Sequence, residues 1–341
     1  MSRPLSAAFA AALLLAAIPA QSSAQARLQV ESPPPVEESL AFIGQLGEVL
    51  NVQVAGMKKL LDAKPLFDSM TSPAGVKAGA PKVRALMAEA EAMVRQADSM
   101  TGRIVPPPGL RYGTLEPATM LAEVRSQNAK CLELLGEFDA FLRAAERGDR
   151  AAAMKMAPRL MEGSFLLIDG NASMYRNRQA ALPSTHSIYQ ALDIGVQLYR
   201  SMSVSGRAWI AAKFGNRPDS AAATLRAQLG EIAVRARAAS AEGRANLARE
   251  LSEFDRKTEG LRFRGEEAET MARFRRAFAG KEKLFAVGDE IASIAGAAAR
   301  VSGAELAAQP SPQLLGRFMP LEIRFQGALA EQAAIATGKA Q

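Results

Sequence analysis

The chain has 341 residues, of which 48% are hydrophobic and only 6% aromatic, and its formal net charge is +7. Its single cysteine, Cys131, excludes an internal disulfide, and its single histidine, His186, excludes a two-histidine zinc helix and paired Glu-x-x-His di-iron ligands. The sequence contains no P-loop, no dinucleotide fingerprint and no Gly-x-Ser-x-Gly elbow. Few aromatic residues and much alanine favour closely packed helices over a sheet.

The N-terminus has the pattern of a secretory signal peptide. An apolar run over residues 7–18 follows Arg3, and a small-x-small cleavage signal, Ala24-Gln25-Ala26, comes next. The run is too short to span a bilayer. We therefore expect a signal peptide over residues 1–26, cleavage near Ala26, and a periplasmic or secreted mature protein. Residues 27–38 contain three consecutive prolines and predict an extended leader.

Apolar spacing of three and four predicts a first helical unit over residues 39–181. Its helices are expected at residues 36–63, 81–100, 117–147 and 149–181. Prolines and glycines predict a turn region at residues 71–81 and a long loop at residues 101–116. Pro158 predicts a kink or a short break in the fourth helix. Cys131 lies in the apolar seam of the third helix, which predicts a buried, unreactive thiol.

A second helical unit is predicted over residues 182–300, and residues 301–341 are assigned to a C-terminal helix and tail. The second unit should contain helices at residues 184–214, 220–241, 244–262 and 266–300, and the last helix should cover residues 310–336. The predicted fold class is all-α, with two antiparallel helical-bundle units and a C-terminal helix outside them.

An internal duplication could relate the two units. Residues 135–154 read LGEFDAFLRAAERGDRAAAM, and a similar pattern returns over residues 251–271, with Gly148 matching Gly265 after one inserted residue. Under this hypothesis the first four helices would correspond to the next four.

The fifth predicted helix carries one row of polar residues at alternating spacings of four and three, which places them on one helix face. We call this row the polar stripe; it consists of His186, Gln190, Asp193, Gln197 and Arg200. One interpretation is a wet outer face of the helix. The other is a polar cleft that binds a small ligand, with Arg178 or Arg200 matching an anionic group and with the preceding helix or the eighth helix opposite.

No motif commits the chain to a chemistry, so the preferred function is non-enzymatic binding of another component of the cell envelope. Removing Arg3 with the signal peptide leaves 41 basic against 35 acidic residues, a balance of +6 that favours an anionic envelope component or an envelope protein over nucleic acid as partner. We expect no cofactor, no metal and no membrane span. The alternatives are the small-ligand cleft and a hydrolase that uses two of the scattered carboxylates.

Overall fold

The computed structural model describes residues 36–70, 72–110, 116–215, 217–261, 263–309 and 313–338. Of these residues 88% are helical and none lies in a strand, so the all-α prediction is confirmed. The signal peptide, almost all of the proline-rich leader and part of the loop at residues 101–116 lie outside the described residues.

The described residues form ten helices. They are α1 (Val36–Ser69), α2 (Pro73–Arg103), α3 (Pro117–Glu146), α4 (Arg150–Ala180), α5 (Ser187–Phe214), α6 (Pro218–Thr258), α7 (Glu266–Gly280), α8 (Glu282–Ala298), α9 (Gly303–Ala308) and α10 (Gln313–Ala336). The bounds of α3 and α4 agree with the prediction within a residue or two. The short α9 was not predicted.

The turn predicted at residues 71–81 is wrong, because α2 begins at Pro73. The Ser72 hydroxyl accepts a hydrogen bond from the Gly75 amide at 3.1 Å and caps the helix, and a proline is tolerated at a first helical position. Pro81 therefore lies inside α2 rather than at its start. The break predicted at Pro158 is also absent, since α4 continues through that position.

The second half of the chain departs further from the prediction. The sixth and seventh predicted helices are one helix, α6, which passes through Gly243 without interruption. A Cβ at Gly243 would overlap the ring of Phe285, so this glycine allows α8 to approach closely and does not end a helix. The eighth predicted helix is instead divided at Lys281 into α7 and α8.

These changes affect the proposed duplication. Gly148 and Gly265 both have positive φ, +74° and +53°, but Gly148 follows the end of α3 whereas Gly265 precedes α7, and α6 ends earlier at Thr258. Because the sixth and seventh predicted helices are fused, the helices do not correspond four to four. The duplication itself stays a prediction.

The largest apolar core lies among α5, α6, α8 and α10, and smaller cores join α1, α2 and α3. α10 links the two regions, because it packs against α1 as well as against α5, α7 and α8. Among the described residues one segment, Glu38–Ala63 in α1, has the length and mean hydropathy (1.2) of a membrane-crossing helix, and 33% of that window is buried against other helices. The buried helices of a soluble core satisfy the same criterion.

Candidate functional site: a buried polar interface between α5 and α6

The polar stripe is buried rather than wet. Gln190, Asp193 and Gln197 are 5%, 5% and 1% exposed, whereas Arg200 and His186, at the two ends, are partly exposed. The interpretation as an outer face is therefore wrong. The helix opposite the stripe is α6, not the preceding helix or the eighth predicted helix, because side chains of α6 supply its partners.

Each central residue of the stripe has a partner of matching chemistry. The Asp193 carboxylate accepts a hydrogen bond from Arg235 at 3.1 Å and another from Gln197 at 2.8 Å. The Gln190 amide donates to Glu242 at 3.0 Å.

At the outer end of the stripe Arg200 pairs with Glu231 at 3.3 Å. Across these contacts the residue numbers rise along α5 as they fall along α6, as antiparallel packing requires. Buried polar groups need such partners, because an unpaired one costs roughly 1–3 kcal/mol.

A tighter cluster lies at the first turn of α5. The Ser187 amide and hydroxyl both donate to the Glu250 carboxylate, and the Lys281 ammonium donates to the Ser187 hydroxyl at 2.8 Å and to Glu250 at 3.1 Å. The Nδ1 atom of His186 lies 3.6 Å from Glu250, and neither ring nitrogen has a hydrogen-bond partner among the described residues. This cluster joins α5, α6 and the turn between α7 and α8.

Burial and charge pairing act in opposite directions on the ionisation of this cluster. Burial lowers the pKa of Lys281, and the attraction of Glu250 only partly offsets this. Burial also disfavours the charged form of Glu250, but the Lys281 ammonium and the Ser187 donors outweigh it and hold the pKa of that carboxyl below its usual value. Burial lowers the pKa of His186 despite the nearby carboxylate, which favours the neutral imidazole.

A serine beside a lysine can form a nucleophile and a general base, but this pair does not have the required geometry. Ser187 is fully buried, so no substrate can reach its hydroxyl. That hydroxyl already donates a hydrogen bond to Glu250. The Lys281 amine is itself held by Glu250 at 3.1 Å as well as by Ser187, so it is engaged within the cluster. The cluster is therefore built to join helices.

Arg178 does not belong to the polar stripe. It lies on α4 with its guanidinium carbon 6.0 Å from the centre of the Tyr175 ring, and its buried Nε has no hydrogen-bond partner in the part of the chain that the structure describes. Its electrostatic neighbours are Tyr175, Tyr199 and Glu123, none of which is in the stripe. The structure thus brings five of the six predicted ligand-binding residues to one interface and leaves Arg178 apart.

A second polar group, missed by the sequence, connects α5 to α10. The Tyr199 hydroxyl donates to Glu322 at 2.7 Å and accepts from Gln326 at 2.8 Å. The Tyr199 ring stacks on Tyr175 at 5.7 Å, and Tyr175 meets Phe325 edge-on. Burial among these side chains raises the pKa of Glu322 to about 7 and that of Tyr199 well above its usual value.

Concave surface occurs elsewhere. A groove of about 600 Å³ lies between α3 and α4, with Met156 and Leu160 in it and Glu137 and Arg159 paired at its edge. A smaller groove of about 320 Å³ lies between α8 and α10. No residue of the polar stripe lines either groove.

In the described ranges no group of three His, Cys, Asp or Glu side chains is placed to hold a metal ion. No protein-family model matches the chain, and comparison with curated proteins and with solved structures finds no match.

Proposed function

We propose that this is a non-enzymatic protein of the periplasm that binds an anionic component of the cell envelope through its helical surface. One observation carries the proposal: the polar stripe, the best candidate for a ligand or catalytic site, is engaged in pairing α5 with α6. The ligand-cleft alternative would require a small molecule to displace these buried pairs. The burial of the stripe therefore favours the outer surface as the place of binding.

Charge supports an anionic partner. The chain carries a net +7, and residues 207–276 hold 15 Lys or Arg against 10 Asp or Glu. A positive field of this kind raises the association rate with anionic partners and makes binding sensitive to salt. The predicted signal peptide supports the periplasm as the compartment in which those partners occur.

The test is affinity capture from envelope extracts, run beside a broad hydrolase screen on the same preparation. We expect a retained envelope component that elutes at high salt, and no turnover. Turnover without a retained component would reverse the proposal in favour of an enzyme.

A Gln190→Ala variant distinguishes the surface from the stripe in the same experiment. Its amide contacts Glu242 inside the protein, so capture should be unchanged. If the Gln190→Ala variant folds but no longer captures an envelope component, the polar stripe would be the ligand site instead.

A further inference from the structure

One corner of the molecule combines exposed basic side chains with an exposed aromatic ring. α5 ends there at Phe214, whose ring is 66% exposed and packs edge-on against Trp209 at 5.8 Å. Lys213 precedes it, and Arg217 immediately precedes α6. We call this region, together with Arg226 and Arg300, the α5–α6 corner.

Contacts to α9 hold the parts of the corner together. Lys213 donates to the carbonyl of Ala307 at 3.1 Å, and the Trp209 indole donates to that of Gln309, also at 3.1 Å. Arg226 donates to the carbonyl of Val301, next to Arg300. The basic side chains of α5, α6 and the end of α8 therefore share one region of the surface.

The corner also contains two acidic residues, Asp219 and Glu305. The Asp219 carboxylate lies against Gly303, at the start of α9, and the Glu305 carboxylate accepts hydrogen bonds from the Ser302 amide and hydroxyl. Arg217 and Arg300 are exposed, and neither forms an ion pair with another described residue. The corner therefore carries four basic residues against two acidic ones around an apolar ring.

From this geometry we infer that the α5–α6 corner is a docking surface for an anionic phospholipid membrane. The inference rests on the proposed function and names its partner class. A stable protein partner would need an interface of about 800 Å² on each side with an apolar centre, whereas the corner offers one exposed aromatic ring. A lipid surface requires a smaller apolar contact area, because an aromatic ring lies at the level of the headgroups and each nearby Lys or Arg adds attraction to anionic lipid.

Vesicle co-sedimentation of the full mature chain tests the inference. Vesicles contain phosphatidylcholine alone or with about one-third phosphatidylglycerol, since only the latter carries the negative surface potential that attracts basic residues. We expect binding to the anionic vesicles only, weakened by salt. Arg217→Ala should weaken binding about fivefold, and Phe214→Ala should weaken it at least about fivefold.

Matched controls lie on the exposed side of α6. Val234, 68% exposed, serves as the apolar control and exposed Arg237 as the basic one, each replaced by alanine. Both controls should bind like the wild type. All four substitutions change exposed side chains, and an unchanged circular dichroism spectrum confirms folding.

Equal binding to neutral vesicles, no vesicle binding, or equal losses in the corner and control variants would each overturn the inference. Failure here can be told apart from failure of the proposed function. If an acidic polysaccharide or an envelope protein is captured but vesicles are not, the lipid surface is wrong and the proposed function stands. If nothing anionic is captured in either experiment, both are wrong.

Discussion

A Glu322→Gln substitution should make the protein more stable at about pH 8 and change its stability much less at about pH 5. Glu322 accepts a hydrogen bond from the Tyr199 hydroxyl, and a glutamine carbonyl can accept the same bond. The two side chains have similar shapes, so packing against α5 is retained. What the substitution removes is the ability to ionise in a site that disfavours charge.

The magnitude follows from the pKa of the carboxyl. Burial raises the pKa of Glu322 from 4.5 to about 7, and the hydrogen bond from Tyr199 only partly opposes this. Because the folded-state pKa is the higher one, the stability contributed by this carboxyl is complete below pH 4.5 and is lost as the pH rises through about 7. The difference between the two pKa values corresponds to about 3 kcal/mol at most.

Urea denaturation of wild type and variant, followed by circular dichroism across this pH range, measures the difference in the free energy of unfolding. The variant should gain up to about 3 kcal/mol over the wild type as the pH rises to about 8. Glu331→Gln, on the same helix, is the matched control: its exposed carboxylate pairs with Lys283, and it should change stability by less than about 1 kcal/mol at any pH. A Glu322→Gln effect that is independent of pH would refute the reasoning.

Three further outcomes can be checked on the same material. Asp193→Ala and Arg235→Ala should each cost about 2 kcal/mol in urea denaturation, because the first leaves the buried Gln197 amide unpaired and the second leaves the buried Asp193 carboxylate without its cation. A loss below about 0.5 kcal/mol, the size expected at an ordinary surface position, from either variant would contradict the pairing. Lys281→Met should lower the free energy of unfolding by about 3–5 kcal/mol, because it leaves Glu250 charged and unpaired. Adding Glu250→Gln should restore part of that loss, and a double variant that is no more stable than Lys281→Met would argue against the ion pair. Cys131 should resist labelling by a bulky thiol reagent in the absence of denaturant. Burial raises the pKa of its thiol to about 11, and the reactive species is the thiolate. Rapid labelling of the native protein would show that the thiol is accessible.

The sequence was most informative where local signals and packing agree. Asn128 lies three residues before Cys131 and so shares the apolar seam predicted for the third helix. It is buried there, and its side-chain oxygen accepts a hydrogen bond from Gln53 of α1 at 2.9 Å. The third helix is predicted to start at residue 117, and α3 begins there, with Pro117 in its first turn, where proline is tolerated. In such places the periodicity of a single segment is sufficient.

Glycine and lysine positions in the second half show what a single segment cannot reveal. The boundary predicted between residues 241 and 244 falls at Gly243, and this glycine lies where Phe285 of α8 needs room. Lys281 lay inside a long periodic stretch and gave no sign of a helix boundary. Its ammonium is drawn to Ser187 and Glu250, which are 94 and 31 residues away in sequence. Long-range packing determined both outcomes.

The same mistaken break hid the partner row of the polar stripe. On one continuous helix, polar residues recur along α6 at spacings of four and seven, so they share a face. They are Glu231, Arg235, Glu242, Asn246 and Glu250. Dividing the helix at Gly243 separated them into two unrelated groups, and the stripe on α5 was left without a visible counterpart.

A polar row on an otherwise apolar helix has two physical solutions: a bound ligand, or a second row on a neighbouring helix with complementary groups in reversed order. The presence of a complementary row can be tested on a sequence, because antiparallel packing requires the partner residues to follow one another in the opposite order. Here Gln190 bonds to Glu242, and Asp193 bonds to Arg235. The two residues on α5 are about one turn apart, and their partners on α6 are about two turns apart. Since both rows are needed to satisfy each other's buried groups, replacing either row alone should destabilise the protein, whereas replacing matched pairs with apolar residues should not. That difference in stability separates a structural row from a ligand site. In a ligand site, replacing the row on α5 would not leave buried groups of α6 unpaired.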